Sequence, residues 1–368
     1  PSKTIEEYFS LLMPAHDNRG IELSAEEIGR YARHLALPEI GISGQKQLKG
    51  SSVLCVGSGG LGSAVLLYLA AAGVGRIGVV DSDVVEDSNL QRQVLHGMSW
   101  LTKPKTASAR SRILEINPNC QVDTYQAQLT TDNALKIIKE FDIVCDCTDN
   151  FPSRYLINDA CVILSKPNIY GSIASFEGQA TVFNLNNKSP NYRDLVPEPP
   201  PPGLLPSCAA GGVIGVLPGL IGIIQATEVI KIITSIGKTL SGRLLIFDAL
   251  ELKFRELTLK PSTDREAINC LINYEAFCSG KSNITSTRNS LPIKGISVQQ
   301  LKELIDNKLV EITLVDVRNP YEFQTGSIKG ATLIPLQSIE NGEAIELIRK
   351  MAKINQLYVY CKSGHRSK

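Results

Sequence analysis

The stretch CVGSGGLGSAVLLYLAAAGVGRIGVVDSD, Cys55 to Asp83, decides the fold. Val53 to Val56 reads as a buried strand, and Gly57, Gly59 and Gly62 supply G-x-G-x-x-G. Ser63 to Ala72 reads as a helix of small residues, and Ile77 to Val80 as a second apolar strand ending in Asp81. Strand, loop, helix, strand and acid follow the order of a βαβ nucleotide fingerprint. The glycines allow a tight turn and close approach to phosphate, and the acid stands near the distance at which a ribose hydroxyl is met. A glycine-rich helix start that binds nothing has no need of all five parts. Two chemistries share the fingerprint: hydride transfer with a dinucleotide, and reactions of another phosphate compound. The glycine motif alone does not choose between them.

The residues downstream bear on that choice. DSDVVEDSNLQRQVLH places Asn89 and Arg92 one helical turn apart, so an amide and a guanidinium share a face. Lys105 begins the next helix, and Asp149 and Asn150 end a strand at the same expected sheet edge. A nicotinamide site has little need of this positive charge. Nucleotidyl transfer does need it, because negative charge grows on the phosphate oxygens and on departing pyrophosphate. A carboxylate such as Asp149 can hold Mg²⁺ beside those phosphates. Singly, Asn89, Arg92 and Lys105 each read as a solvated helix face; together they favour nucleotidyl transfer.

The chain of 368 residues is long enough for about two domains, and its hydrophobic fraction of 43% is ample for real cores. A net charge of +1 gives no electrostatic case for nucleic acid or an anionic membrane. Nine cysteines without a regular framework suit a reducing compartment, and cytoplasm and plastid stroma fit equally. The chain opens on Pro1 with no charged n-region or hydrophobic h-region, so no secretory signal is expected. The apolar run Val213 to Gly237 is interrupted by Pro218, Gln225, Glu228 and Lys231. It therefore reads as buried core or a subunit interface, and no membrane partner is expected.

Ser24 and Glu27 form a capping box that opens a helix running to Pro38 and bringing Arg30, Arg33 and His34 close together. Lys103 to Asn117 reads as a helix beginning after Pro104, FDIVCDCTDN as a strand entering a polar loop, and Ser153 to Leu164 as another helix. This alternation predicts an α/β fold with a doubly wound, mostly parallel, Rossmann-like sheet. NNKSPNYRDLVPEPPPPGLLPSC is too rich in proline for a helix or central strand and reads as an extended crossover loop. Buried helix and strands return over Val213 to Lys260. The expected organisation is a nucleotide-binding domain over 1–278, a linker over 279–292 (SGKSNITSTRNSLP) and a small α/β domain over 293–368.

With these residues in view, the chain closely resembles the ubiquitin-activating superfamily, and within it the molybdopterin synthase adenylyltransferases that carry a C-terminal rhodanese domain. RYARH, GSGGLGS, DSDVVEDSNLQRQVL, KTASA, DCTDNFPSRYLIND, EGQATVF and PEPPPPGLLPSCAAGG are similar to successive motifs of that family. The resemblance implies that ATP is held by Gly57, Gly59, Gly60, Gly62, Asp81, Asp83, Ser88, Asn89, Leu90, Gln91, Arg92, Lys105, Asp149 and Asn150, with Mg²⁺ at Asp149. It implies a homodimer in which Arg33 reaches the neighbouring subunit's site. The substrate it implies is the C-terminal Gly-Gly carboxylate of a small ubiquitin-like sulfur carrier, with sulfur from a donor such as a cysteine desulfurase. The carrier could serve molybdopterin, thiamine or tRNA thiolation.

Cys208, at the exit of the proline loop, could attack an acyl-adenylate; the family carries a cysteine here, although Ala209 stands where relatives often have Glu. Cys361 ends the strand YVYC, and CKSGHRS can wrap backbone N–H groups around its sulfur while Lys362, His365 and Arg366 add positive potential. This loop resembles the active-site loop of rhodaneses, with Asp316 and Arg318 upstream and Ser327 in place of a common His. The chain ends just past the loop, so this domain reads as incomplete. Many family members bind zinc through two C-x-x-C pairs. Here SPNYRDL has no cysteine and AFCSG has only Cys278, so no structural zinc is expected. Cys145 and Cys147 share a strand face as core residues, and Cys55, Cys120, Cys161 and Cys270 are assigned to packing.

Overall fold

The computed structural model describes residues 20–200, 212–263, 265, 267–279, 295–307, 312–361 and 367. The chain divides into two compact units. The first is an eight-stranded sheet: β1 (Ser52–Val56), β2 (Arg76–Val80), β3 (Gln121–Tyr125), β4 (Ile143–Asp146), β5 (Asn168–Ala174), β6 (Glu177–Phe183), β7 (Arg243–Asp248) and β8 (Lys253–Thr258). Their order is β3-β2-β1-β4-β5-β6-β7-β8. Pairing is parallel from β3 to β5 and antiparallel from β5 to β8. Its described helices are α1 (Ala25–Arg30), α2 (Ala32–Leu35), α3 (Gly41–Gly50), α4 (Gly60–Ala72), α5 (Lys105–Ile116), α6 (Ala134–Ile138), α7 (Phe151–Ile163), α8 (Tyr192–Leu195), α9 (Leu217–Thr234) and α10 (Tyr274–Cys278).

The sheet is buried on both faces because β1, β2 and β4 are apolar along almost their whole length, with Ser52, Arg76 and Asp146 only at their ends, as a doubly wound sheet requires. Along β1, Val53 and Cys55 enter one core with α4 and α9, while Leu54 and Val56 enter the other with Tyr155, Tyr170 and Tyr192. β1 lies between β2 and β4, so chain order reverses at its carboxyl end, where open α/β sheets hold their ligands.

Helix α9 passes a length-and-hydropathy test for a membrane span, yet 61% of that window is buried in this unit. Its buried Gln225 donates from Nε2 to the carbonyls of Asp146 and Ile169, both at 2.9 Å, which ties the helix across β4 and β5. A lipid-facing helix has no place for such a group. β8 departs from the buried reading of this region, since all six of its residues are exposed at the sheet edge.

Two local readings change. The capped N-terminal helix breaks at Tyr31, whose hydroxyl accepts from Asn117 Nδ2 at 2.7 Å; its ring is drawn inward, and the helix resumes as α2. The crossover is not wholly extended, because Asn191 and Asp194 form a capping box around α8 and carry Tyr192 into the second core.

The two segments expected to lack zinc ligands are fastened by charge. Arg193 donates from Nε and Nη2 to Asp159 at 2.9 and 2.7 Å, and Tyr274 Oη donates to the same carboxylate at 2.8 Å. Arg265 Nη1 reaches Asp194 at 2.6 Å, and Arg193 also lies over the rings of Tyr155 and Phe277. Asp159 is only 1% exposed, so Asp159→Ala leaves a partly buried guanidinium and a buried phenol without their acceptor. Urea denaturation is expected to show a loss of about 3–5 kcal/mol. A loss under about 1 kcal/mol contradicts the clamp.

The second unit is a three-stranded parallel sheet, β10-β9-β11, from β9 (Ile312–Asp316), β10 (Thr332–Leu333) and β11 (Gln356–Tyr360). Its helices α11 (Val298–Asn307), α12 (Pro320–Thr325), α13 (Leu336–Glu340) and α14 (Ile345–Ile354) complete a small α/β unit. Val315, Val317, Ile334 and Ala344 form its core.

Candidate active site

The glycine motif is tighter than its sequence spacing suggests. α4 begins at Gly60, three residues earlier than expected, with Gly59 as its cap. Gly57 has φ +94°, and a Cβ there would meet the Cys147 carbonyl at 2.8 Å. A Cβ on Gly62 would stand 2.1 Å from the Gly57 carbonyl, so the helix rests directly on the loop. Around this turn opens a cavity of about 460 Å³, lined by Gly57, Gly59, Gly60, Asp81, Asp83, Arg92, Lys105, Asp149 and Asn150. Gly62 underlies it. Ser88, Asn89, Leu90 and Gln91 do not line it: Asn89 Oδ1 accepts from Glu86 N at 3.2 Å and caps its own short turn. Arg92 alone among those five turns into the cavity, its Nη1 donating to the Ser88 carbonyl at 3.1 Å. Exposed Arg33 on α2 does not line this cavity, and Cys208 lies outside the described residues.

A closed chain of hydrogen bonds sets the cavity's cation against its acid. Asp81 Oδ2 accepts from Ser58 N and Oγ, each at 2.8 Å, and Asp81 Oδ1 accepts from Asp83 N at 2.9 Å. Lys105 Nζ donates to Asp83 Oδ2 at 2.9 Å, and buried Lys105 starts α5 just after Pro104. Ser108, one turn along α5, meets His96 Nδ1 at 2.9 Å, and His96 Nε2 meets the Ser58 carbonyl at 2.9 Å. A carbonyl only accepts, so Nε2 carries the proton and Nδ1 accepts from the Ser108 hydroxyl. Burial lowers the His96 pKa against the Ser58 bond, with Lys105 adding to the depression.

His96 is a positioning residue that sequence reading missed; its only signal is a polar residue ending the apolar run VL. Because its pKa falls on folding, its contribution is full above the ordinary histidine value of 6.5 and is lost as pH drops through the lowered one. His96→Gln retains an Nε2 donor towards Ser58. The variant is expected to flatten the acid limb of a stability–pH curve and to keep most ATP affinity, whereas His96→Ala raises the KM for ATP about tenfold. Chemical denaturation across pH 5 to about 8 and initial-rate kinetics check both expectations.

Reading the sequence also missed Gln93 and Arg154, both buried and both lining the cavity, together with the wall made by Ala127, Gln128 and Leu129 after β3. Gln93 Oε1 and Arg154 Nε have no partner there. Asn150 Oδ1 accepts from Ser153 N at 2.9 Å and caps α7, leaving exposed Asp149 at the rim. Burial raises the Asp146 pKa behind it, opposed by Arg154 and by Thr148, which donates to Oδ1 from N and Oγ1.

Among the described residues, no group of three His, Cys, Asp or Glu side chains could hold a metal by itself. A lone carboxylate such as Asp149 still suits Mg²⁺, which takes one or two carboxylates and completes its shell with phosphate and water. Cys145 and Cys147 are buried on one face as expected, and Cys147 Sγ lies 3.6 Å from Cys55 Sγ. Cys270 is exposed, contrary to its packing assignment.

In the second unit Cys361 follows β11 directly and is half-buried, with Sγ 3.6 Å from Ser367 Oγ. Lys362, His365 and Arg366 lie outside the described residues. Tyr360 pairs with Asp316, so Cys361 stands at the carboxyl end of the sheet, beside Asp316 and Arg318. Arg318 Nη2 donates to Asp316 at 2.7 Å and to the Gly326 carbonyl at 2.7 Å. Burial works to raise the Asp316 pKa, but the Arg318 bonds prevail and hold it below the usual carboxylate value.

Comparison with known proteins agrees with this architecture. The ThiF family profile matches residues 31–270, and the rhodanese-like domain profile matches 297–368. The chain is 46% identical over 350 residues to the probable adenylyltransferase/sulfurtransferase MoeZ of Mycobacterium tuberculosis, covering 94% of this chain and 87% of that protein. It is 43% identical to the adenylyltransferase and sulfurtransferase MOCS3 of Aedes aegypti, covering 94% and 81%. A sulfur carrier protein adenylyltransferase of Thermus thermophilus is 48% identical over 263 residues, covering 69% of this chain and 97% of its own. The crystal structure of E. coli MccB with ATP shares the fold, with a TM-score of 0.57 at 21% identity, over 76% of this chain and 82% of that one. The dinucleotide reading of the glycine motif gives way to nucleotidyl transfer: the chain belongs to the ThiF family, as an adenylyltransferase/sulfurtransferase with a C-terminal rhodanese-like domain.

Proposed function

We propose that this protein adenylates the C-terminal Gly-Gly carboxylate of a small ubiquitin-like sulfur carrier and then converts it to a thiocarboxylate. The observation that carries the first half is the single cavity in which a helix N-terminus, Arg92, Lys105 and Asp81 meet. The carrier carboxylate attacks the α-phosphorus of ATP, and the bond to pyrophosphate breaks. The backbone N–H groups at the start of α4 and the Arg92 and Lys105 cations face the charge that accumulates on the departing oxygens. Lys105, tied to Asp83, is held in place before the nucleotide arrives. Mg²⁺ held by Asp149 would neutralise phosphate charge when bound.

In the second half the outer sulfur of a Cys361 persulfide, charged by a donor such as a cysteine desulfurase, attacks the adenylated carboxyl and displaces AMP to give an acyl disulfide. A dithiol reductant then attacks the Cys361 sulfur, breaks the S–S bond and releases the thiocarboxylate, with Cys208 able to link the carrier covalently. The protein works as a homodimer, Arg33 completing the neighbouring site, in a reducing compartment such as cytoplasm or plastid stroma. The resemblance favours the molybdopterin carrier over those of thiamine or tRNA thiolation. Exchange of labelled pyrophosphate into ATP tests the adenylation step. Exchange that depends on a carrier ending in Gly-Gly is expected, and none with any such carrier defeats the reading.

A further inference from the structure

Arg154 stands on α7, lines the nucleotide cavity and is only 8% exposed. A guanidinium carries five N–H donors. Here Nη2 reaches the Thr148 carbonyl at 3.3 Å, while Nε is buried without an acceptor. The group lies 5.5 Å from the Tyr170 ring centre and 5.8 Å from that of Phe151. It makes no ion pair among the described residues. Asp146 is the carboxylate that faces it electrostatically, yet that side chain's hydrogen bonds go to Thr148. A buried cation so poorly matched is costly to the fold unless an anion comes to it.

The other cations of the cavity stand elsewhere. Arg92 packs at the glycine loop, its Cγ 3.7 Å from where a Gly60 Cβ would be, and Lys105 is bound to Asp83 beyond β2. Arg154 sits on the opposite flank, against β5, and shares the cavity with Cys147, Thr148, Ile173 and Val213. An adenylation cavity must hold two anions at once, a triphosphate and a carboxylate. The helix N-terminus, Arg92 and Lys105 serve the first.

We propose that Arg154 receives the second: its guanidinium binds the terminal carboxylate of the acyl substrate and presents one oxygen to the α-phosphorus. This rests on the adenylation reading above. As that oxygen bonds to phosphorus and pyrophosphate leaves, the carboxylate becomes a neutral mixed anhydride, and its pairing with Arg154 weakens. The contact therefore belongs to the ground state and sets KM for the carrier more than kcat.

The test is pyrophosphate exchange at saturating ATP with varied carrier, on wild type, Arg154→Gln and Arg154→Lys. Binding of a non-hydrolysable ATP analogue is measured beside it. Arg154→Gln is expected to raise the carrier KM roughly 10- to 100-fold with analogue affinity retained, and Arg154→Lys to recover part of the loss. A carrier ending in a carboxamide instead of a carboxylate should lose binding to wild type by the same factor and bind Arg154→Gln as the free acid does. An unchanged carrier KM overturns the assignment, as does a variant that still distinguishes acid from amide. A parallel loss of analogue binding also overturns it, assigning Arg154 to the nucleotide or the fold. Where Arg154→Gln is insoluble, Arg154→Lys alone decides, by the same acid-to-amide comparison. Wild type without exchange on any Gly-Gly carrier fails the adenylation reading instead.

Discussion

Arg92→Ala is expected to lower carrier-dependent pyrophosphate exchange about 10²- to 10³-fold while leaving the fold intact. The guanidinium is the one side chain of the Ser88 to Arg92 segment that reaches the cavity, beside the first residue of α4. Its hydrogen bond to the Ser88 carbonyl is local, so its removal opens no hole in either core. Stability should change by no more than about 0.5 kcal/mol, as for other surface substitutions. Loss of a charge that meets developing phosphate charge falls on kcat as well as on the KM for ATP. Arg92→Lys keeps the charge without the planar fork and should recover only part of the rate. Exchange within threefold of wild type would remove Arg92 from the site and leave Lys105 as the cavity's phosphate cation.

Cys361→Ala is expected to separate the two activities. Adenylation occurs in the first unit, and exchange should stay within about twofold. Thiocarboxylate formation, followed by mass spectrometry of the carrier, should fall at least about 100-fold, since the substitution removes the thiol that carries the transferred sulfur. The position of Cys361 supports this. It follows β11 directly, at the strand end where the Asp316–Arg318 pair braces the neighbouring turn. Thiocarboxylate formation unaffected by the substitution would place sulfur delivery on another cysteine, with Cys208 next to be changed.

The βαβ core was legible because its signals are local. A short apolar strand, glycines at fixed spacing and an acid at the end of the next strand leave few alternatives, and the Ser24–Glu27 cap is likewise short-range. The start of α4 was misread because glycine is ordinarily a loop residue, whereas Gly60 and Gly62 are helical positions kept bare by Pro218 and by the Gly57 carbonyl. α8 was hidden among prolines, and what forms it is the burial of Tyr192 against Tyr155, Tyr170 and Phe183. His96 and Arg154 escaped for a related reason. His96 takes its role from Ser58, 38 positions away, and Arg154 from the two flanks of a cavity that no single segment encodes.

The clamp of Asp159, Arg193 and Tyr274 bears on the chemistry of sulfur. A sulfurtransferase works among persulfides, which exchange with thiolates and strip or block soft metal ligands. Guanidinium, carboxylate and phenol are inert to sulfane sulfur. A fastening built from them leaves α7, the crossover and α10 joined whatever the sulfur load of the enzyme. It diverts none of the cargo and offers no thiol for an oxidant to take.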